Sequence, residues 1–130
     1  YEDVDWAFRA QLLGYGCRYV PTAVVYHHGS ATLGRGFTEF NGYHQWRNSV
    51  WLIVKCVPLS LLLRHGPVLA YGQVCNLLDA ARTGLLHVWA QAARDALRGL
   101  PRALAQRRQI QRRRVVSSGQ LEAVTRLGKQ

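Results

Sequence analysis

The residues best suited to chemistry form an acidic cluster at the beginning of the chain. Glu2, Asp3 and Asp5 stand within one helical turn, and Arg9 follows Asp5 by four positions. A carboxylate within hydrogen-bond reach of a hydroxyl group can accept its proton while the hydroxyl oxygen attacks an electrophile. Acidic residues at a helix start also have an ordinary structural explanation, because they interact favourably with the helix dipole. The spacing of Asp5 and Arg9 further predicts an ion pair within one helix.

Two adjacent histidines are a second candidate for chemistry. His27 and His28 follow residues 17–26, whose β-branched and aromatic side chains predict one or two short strands broken at Pro21. A strand that ends in a loop can present a neutral imidazole nitrogen to a divalent cation. A histidine at a strand end is more commonly an ordinary surface or core residue. The glycine-rich residues 29–36 fit a lid over a ligand and an ordinary surface loop equally well.

A third polar group, Arg47-Asn48, lies in an amphipathic stretch. Apolar and aromatic residues between Phe37 and Val57 recur three or four positions apart, which predicts a helix that ends at Pro58. Arg47 would either reach the phosphates of a ligand or pair with a carboxylate, and the sequence leaves both alternatives open.

The elements that must position these residues are mainly helices. Apolar spacing and turn residues predict five of them, over residues 3–13, 37–57, 67–97, 102–116 and 119–127. Gly14 suits the end of the first helix, and Gly99 with Pro101 breaks the chain before the fourth. Ser117 and Gln120 have the spacing of a capping box before the last helix.

Composition excludes several classes of protein. A hydrophobic content of 48% with 4 Trp, 6 Tyr and 3 Phe is too rich for a disordered chain. The three cysteines are widely spaced and odd in number, so we expect reduced thiols in a cytoplasmic compartment rather than a disulfide framework or a zinc site.

The most apolar stretch, residues 50–63, is shorter than the roughly 20 residues of a spanning helix. It is expected to be a buried helix or a segment at a bilayer surface.

The order and spacing of these motifs resemble the C-terminal part of the catalytic domain of family 2 glycosyltransferases. These are inverting enzymes with the nucleotide-sugar-binding fold called GT-A, and the rhamnosyltransferase-like and galactofuranosyltransferase-like members are most similar. The residues that carry the resemblance are the acidic cluster, Arg9, Gly14-Tyr15, Val20-Pro21 with Ala23, His27-His28 and Arg47-Asn48.

The resemblance is dense over residues 1–58 and looser over residues 59–130. It implies an α/β fold class, in which residues 1–58 are the C-terminal part of a GT-A fold with one or two short strands and helices. Residues 59–130 would form a basic, α-helical C-terminal extension, so that the chain as it stands is mostly helical.

The resemblance also implies roles for individual residues. Asp3 matches the catalytic base, with Glu2 beside it, and Asp5 would help to orient the acceptor. His27 matches a histidine that ligates the catalytic Mg²⁺ or Mn²⁺, and His28 is the fallback. Such a cation offsets the negative charge on a departing nucleoside diphosphate.

The activity implied is transfer of a sugar from a nucleotide-sugar to a hydroxyl of a cell-surface glycan or polyprenyl-linked acceptor. The family's donor-site Asp-x-Asp motif and its nucleotide-binding strands precede the acidic pair and fall outside these 130 residues. The sequence contains no methionine, which fits a fragment. We therefore expect this chain alone to be inactive.

Most of the positive charge lies in the C-terminal half. The formal net charge is +10, with +2 on residues 1–65 and +8 on residues 66–130. Seven arginines and no acidic residue occur between residues 98 and 114: Arg98, Arg102, Arg107, Arg108, Arg112, Arg113 and Arg114. Leucines alternate with them at near-helical spacing, which predicts a basic amphipathic helix.

Three interpretations of this helix compete. We favour docking on an anionic membrane, which would make the enzyme peripheral at the inner face of the plasma membrane. A solvated helix packed on its own domain comes second and nucleic-acid binding third. The alternative function for the whole chain is accordingly a non-catalytic basic helical module that binds anionic membrane or nucleic acid.

Overall fold

The computed structural model describes residues 2–26 and 38–127. Within them the chain forms six helices: α1 (Glu2–Leu12), α2 (Glu39–Cys56), α3 (Leu59–Arg82), α4 (Leu86–Arg98), α5 (Leu100–Arg112) and α6 (Ser118–Leu127). The prediction of a mostly helical chain is confirmed. The α2 helix is central, since it packs on α1, α4 and α5. No described helix is both long enough and apolar enough to cross a membrane.

The first predicted helix is confirmed as α1, and Gly14 ends it. Gly14 has φ +84°, a left-handed conformation that glycine adopts without steric cost. The N–H of Tyr15 then donates to the carbonyl of Ala10 at 3.0 Å, and the N–H of Gly14 donates to Gln11 at 2.9 Å. These bonds satisfy carbonyls that the helix end would leave without partners.

The predicted strands are wrong for the described part of the chain, and so is the α/β class there. Residues 15–26 contain a turn at 21–22 but no strand. A strand needs a second main-chain segment alongside it, and residues 2–26 and 38–127 supply none. The side chains of Tyr19, Val25 and Tyr26 are 85%, 83% and 87% exposed. Local composition alone therefore did not determine the conformation.

The single helix predicted over residues 67–97 is also wrong. The α3 helix begins at Leu59, continues through Pro67 and ends at Arg82. Gly84 has φ +73°, and the N–H of Leu85 donates to the carbonyl of Ala80 at 2.8 Å. This turn ends α3 and brings Leu85 against the core, so that α4 starts as a separate helix.

Two apolar clusters hold the helices together. One joins α2, α3 and α4 through Trp46, Ala80, Val88 and Ala92. The other has Leu12, Cys56 and Leu121 at its centre, with these partly buried neighbours: Phe8, Leu52, Leu61, Ile110 and Val116. Helices on both sides of residue 58 thus share their cores.

The predicted final helix is confirmed as α6, and its capping box forms. The N–H of Gln120 donates to Ser117 Oγ at 3.2 Å, and the N–H of Ser117 donates to Gln120 Oε1 at 2.7 Å. The helix predicted over residues 102–116 is α5, which begins two residues earlier and ends four residues earlier.

Candidate functional site

The acidic cluster occupies the first turn of α1, where its members point in different directions. Glu2 and Asp5 are three residues apart and share the face that looks toward α2. They border a cavity of about 180 Å³ whose other lining residues come from α2: Asn48, Trp51, Leu52 and Lys55. Asp3 is rotated by about 100° from Glu2 around the helix axis and does not line this cavity.

Asp5 is held by basic side chains on two sides. Its Oδ1 lies 2.8 Å from Lys55 Nζ, and its Oδ2 lies 3.0 Å from Arg9 Nε. The predicted pair with Arg9 is therefore confirmed. Burial raises the pKa of Asp5, but the hydrogen bond and charge of Lys55, with the charge of Arg9, outweigh burial and lower the pKa overall. Asp5 is thus an ionised carboxylate fixed between two cations.

The Cys56 thiol also contacts Asp5, and its surroundings make it unreactive. Cys56 Sγ donates to Asp5 Oδ1 at 3.6 Å. Burial, followed by the negative charge of Asp5, raises the pKa of Cys56 to about 11. A thiol that stays protonated at neutral pH is neither a nucleophile nor a metal ligand.

Glu2 and Asp3 are exposed and ionised at the start of α1. The pKa of Asp3 is lowered chiefly because the N–H of Val4 donates to Asp3 Oδ1 at 2.7 Å. The pKa of Glu2 is lowered chiefly by a hydrogen bond from its own main-chain N–H. The leading cause of both shifts is thus the N–H groups that a helix start leaves without carbonyl partners.

Arg47 lies between two aromatic rings rather than beside a carboxylate. Its guanidinium carbon is 4.8 Å from the ring centre of Tyr43 and 4.6 Å from that of Trp51. It donates to the Tyr43 hydroxyl at 3.1 Å and to Asn48 Oδ1 at 3.1 Å. The Tyr43 hydroxyl donates onward to Asp95 Oδ2 at 3.0 Å. Arg47 therefore fixes the rim of the cavity through Asn48.

Sequence reasoning missed His44, Trp51 and Lys55 as neighbours of the acidic cluster. His44 accepts a hydrogen bond from Arg47 Nη2 at 3.0 Å. Its pKa is lowered first by burial and then by the charge of Arg47, while Glu2 opposes the shift. The spacing of residues 44, 48, 51, 52 and 55 is that of one helical face. This spacing was the available signal that they share a partner helix.

The predicted metal ligands, His27 and His28, lie outside the described residues. Within residues 2–26 and 38–127, no group of three or more His, Cys, Asp or Glu side chains is placed to hold a metal ion. Glu2 and Asp5 border one cavity, but Asp5 is already bound by Lys55 and Arg9. The described residues by themselves do not fit a divalent cation.

A larger, mainly apolar cavity of about 550 Å³ lies on another side of α1. Trp6, Ala7 and Ala10 line it from the helix, and Leu13 and residues 15–18 close it. Asp3 lies one turn before Trp6 and Ala7, at positions that share a helical face. The predicted base therefore stands at the N-terminal end of the face that bears this groove.

The seven predicted arginines divide into structural and solvent-facing groups. Arg107 is half-buried, and its Nη1 donates at 2.7 Å to the carbonyls of both Val54 and Val57 at the end of α2. Arg98, although its side chain is 69% exposed, pairs with Asp95 at 3.4 Å. Arg114 donates to Ser118 Oγ at 3.1 Å. The remaining four are exposed and have no ion pair within the part of the chain that the structure describes: Arg102, Arg108, Arg112 and Arg113.

Comparisons of the chain with protein-family models, curated proteins and solved structures give no significant match.

Proposed function

We propose that the chain is the C-terminal portion of an inverting GT-A glycosyltransferase. The enzyme would move a sugar from a nucleotide-sugar to a hydroxyl of a cell-surface glycan or lipid-linked acceptor. Its donor site would lie mostly outside this chain. A divalent cation, Mg²⁺ or Mn²⁺, would be held by His27, or by His28 as the fallback, together with ligands outside the described residues.

The observation that carries this proposal is that Asp3 is exposed whereas Asp5 is partly buried. Asp5 is bound by Lys55 and Arg9, so it serves to anchor α1 on α2. Asp3 is exposed at the helix start with a lowered pKa. An ionised carboxylate that a substrate can approach is the group that a general base requires. Glu2, which stands beside Asp3 and borders the smaller cavity, is the second member of the proposed catalytic pair.

In the proposed reaction Asp3 accepts the proton of the acceptor hydroxyl as that oxygen bonds to the anomeric carbon of the donor sugar. The bond from this carbon to the diphosphate oxygen breaks, and its electron pair departs with the nucleoside diphosphate. A single displacement from the opposite face inverts the anomeric configuration. The lowered pKa weakens Asp3 as a base but keeps it in the required ionised form at neutral pH.

The proposal is tested by comparing this 130-residue chain with the full-length protein in an assay for nucleoside diphosphate release from a panel of nucleotide-sugars. We expect release, with an inverted anomeric product, by the full-length protein alone. Turnover by the 130-residue chain would contradict the proposed position of the donor site. If neither protein transfers sugar, the alternative of a non-catalytic basic helical module replaces the transferase.

We further propose that α5 docks the protein on anionic lipid at the inner face of the plasma membrane. The exposed guanidinium groups of Arg102, Arg108, Arg112 and Arg113, which have no acidic partner among the described residues, support this. Each basic residue near an anionic leaflet contributes about 1 kcal/mol of attraction. A lipid-linked acceptor would place the substrate at the same surface.

Co-sedimentation with vesicles tests this second proposal. Replacing Arg108 and Arg112 by Gln should reduce binding to phosphatidylglycerol-containing vesicles at least tenfold. The matched control replaces two exposed arginines outside α3 and α5, Arg18 and Arg94, and should bind more tightly than the α5 variant. An equal loss of vesicle binding in both variants would show that only the net charge matters. Binding to duplex DNA, with no binding to vesicles, would favour a nucleic-acid partner.

A further inference from the structure

The α3 helix exposes a continuous apolar stripe along one face. Leu59, Leu63, Tyr71, Val74 and Leu78 are 62%, 76%, 69%, 50% and 47% exposed. Pro67 completes the stripe and is also exposed. The six positions follow one another at intervals of four, four, four, three and four residues, so they keep to one side of the helix. From Leu59 to Leu78 the stripe is about 29 Å long, at 1.5 Å per residue.

The stripe is not the face by which α3 packs on the rest of the molecule. Ala80 is fully buried in the cluster around Trp46, and Leu69 lines a small apolar cavity with Val50 and Ile53 of α2. Leu69 and Ala80 are eleven residues apart, which returns them to nearly the same side of the helix. Near its start, α3 also contacts α6 through Leu61, Arg64 and His65. The stripe itself faces outward within the described residues.

Single exposed apolar residues are normal on a protein surface, but a continuous row of this length is not. Extended apolar patches on soluble surfaces mark contact with a protein partner or a membrane. Leaving leucine side chains in water forgoes the free energy that burial would supply. The stripe therefore requires a covering surface, and its chemistry indicates which one.

Charge favours an anionic bilayer over a second copy of the chain. The segment Leu59–Leu78 contains no acidic residue, and the chain as a whole carries a net charge of +10. Two copies that met through α3 would bring like charges together, whereas a bilayer with anionic lipid attracts both. Arg82, beside the end of the stripe, is 77% exposed at its side chain and lies 4.0 Å from Asp79.

The geometry of α3 fits a helix that lies on a membrane. The helix is amphipathic, and no described helix is long and apolar enough to span a bilayer. Amphipathic helices of this kind settle in the plane of the interface, with the apolar face roughly 5–10 Å into the boundary between headgroups and acyl chains. Tyr71, an aromatic residue with a polar tip, suits that boundary.

We propose that α3 inserts this apolar stripe into the interface of an anionic bilayer. The inference deepens the proposal that the protein docks on anionic lipid. The α5 arginines would attract the protein to the surface, and the α3 stripe would insert into the interface. It does not depend on glycosyl transfer. An experiment can therefore distinguish electrostatic docking without insertion from insertion that does not need the α5 arginines.

The test places a nitroxide spin label in the stripe and measures its accessibility. The variant Leu63→Cys is labelled in a background with Cys17→Ser and Cys75→Ser, while buried Cys56 is left in place because its thiol pKa of about 11 makes it unreactive. The matched control carries the label at Gln91→Cys, an exposed polar position on α4. Vesicles contain two parts phosphatidylcholine and one part phosphatidylglycerol, or phosphatidylcholine alone.

On anionic vesicles the label at position 63 should collide less often with a water-soluble nickel chelate and more often with oxygen, by several fold in each case. The label at position 91 should change little. If the protein sediments with the vesicles but position 63 stays open to the nickel chelate, docking is electrostatic and insertion is wrong. If position 63 becomes protected without vesicles as the protein concentration rises, the stripe binds a second copy. Failure to bind either vesicle overturns both membrane proposals.

A second variant provides an independent measure. Replacing Leu59, Leu63 and Val74 together by Gln should lower the partition coefficient onto anionic vesicles by more than tenfold, because three apolar side chains would no longer enter the interface. These side chains are exposed, so the circular dichroism spectrum and the sedimentation behaviour in water should not change. Undiminished partitioning of the folded variant would rule out insertion through the stripe.

Discussion

Asp5 and Asp3, two residues apart, differ in their exposure to solvent. Asp5 lies between Lys55 and Arg9, with the Cys56 thiol as a third donor. Asp3 remains exposed at the helix start. The same residue type is therefore used once to fix α1 on α2 and once as the proposed base.

The stabilising role of Asp5 predicts a specific pH dependence. Its pKa in the folded chain lies below the ordinary value of 3.8, so the unfolded chain binds more protons as the pH falls toward that value. The stabilisation is present above about pH 4 and is lost as the pH drops through the lower, folded pKa. Asp5→Asn should lower the free energy of unfolding at pH 7 by about 1–2 kcal/mol. It should also flatten the decline between pH 5 and pH 2, measured by urea unfolding.

The matched control for this prediction is Asp79→Asn. The Asp79 side chain is 67% exposed and lies 4.0 Å from Arg82, so its loss should change the free energy of unfolding by less than about 0.5 kcal/mol. Equal effects of the two substitutions would contradict the anchoring role of Asp5.

The sequence predicted the partner of Asp5 within its own helix but not the partner across the fold. Arg9 follows Asp5 by four positions, and helix geometry alone brings the two together. Lys55 and Cys56 are fifty or more positions away, so their contact depends on how α1 packs against α2. The same limit explains why Arg47 was assigned to phosphate or carboxylate when its neighbours are Tyr43 and Trp51.

His27 carries a prediction that belongs to the full-length protein. If it ligates the catalytic cation, His27→Ala should raise the Mg²⁺ or Mn²⁺ concentration needed for half-maximal turnover. The control His65→Ala removes a half-exposed histidine 3.5 Å from Glu122 and should leave the metal dependence unchanged. An unchanged metal dependence of the His27 variant would mean that His27 is not the ligand, which leaves His28 as the candidate in residues 27–28.

At the scale of elements, apolar periodicity predicted where helices exist better than where they begin and end. The α1, α2 and α6 helices lie where their spacing and capping residues indicate. Pro67 favours a helix start in local terms, yet α3 runs through it. Gly84 ends α3 because its left-handed conformation lets Leu85 reach the core. This helix end could not be predicted locally, because it depends on the tertiary contact of Leu85.

Alanine substitutions at Gly99, between α4 and α5, and at Gly72, inside α3, should have opposite effects on the stability of the fold. A Cβ atom on Gly99 would lie 2.4 Å from Trp51 Cζ2, whereas a Cβ atom on Gly72 would meet nothing within 4 Å. Gly99→Ala should therefore destabilise the fold by about 1–3 kcal/mol through overpacking. Gly72→Ala, inside α3, should stabilise it by about 0.5–1 kcal/mol through helix propensity.

Thermal or urea unfolding of both variants tests this prediction. Because both replacements add the same methyl group to a glycine, a difference in sign isolates the contact with Trp51. Two stabilising changes would mean that the α4–α5 junction does not press against Trp51.

At the scale of the whole molecule, α2 joins the two parts that the sequence distinguishes. Its carbonyls at Val54 and Val57 accept from Arg107, and those at Lys55 and Cys56 accept from Gln111. The predicted strands were wrong because sheet pairing is a property of two segments, and the described chain offers residues 17–26 no second one. Helices could be predicted locally because their hydrogen bonds close within four residues.

We propose that the start of α1 carries the chemistry and that α3 and α5 contact the membrane. In this proposal the net charge of +10 accounts for the membrane contact and not for the reaction. One substitution in the acidic cluster tests the proposed role of Asp3 most directly.

That measurement is turnover by the full-length protein with Asp3→Asn, alongside its binding of the nucleotide-sugar donor. Asn keeps the size of the side chain but cannot accept the proton, so kcat should fall at least a hundredfold while the Kd for the donor changes little. Asp79→Asn, the exposed control, should leave both quantities unchanged. Full activity of the folded Asp3→Asn protein would contradict the claim that Asp3 is the catalytic base.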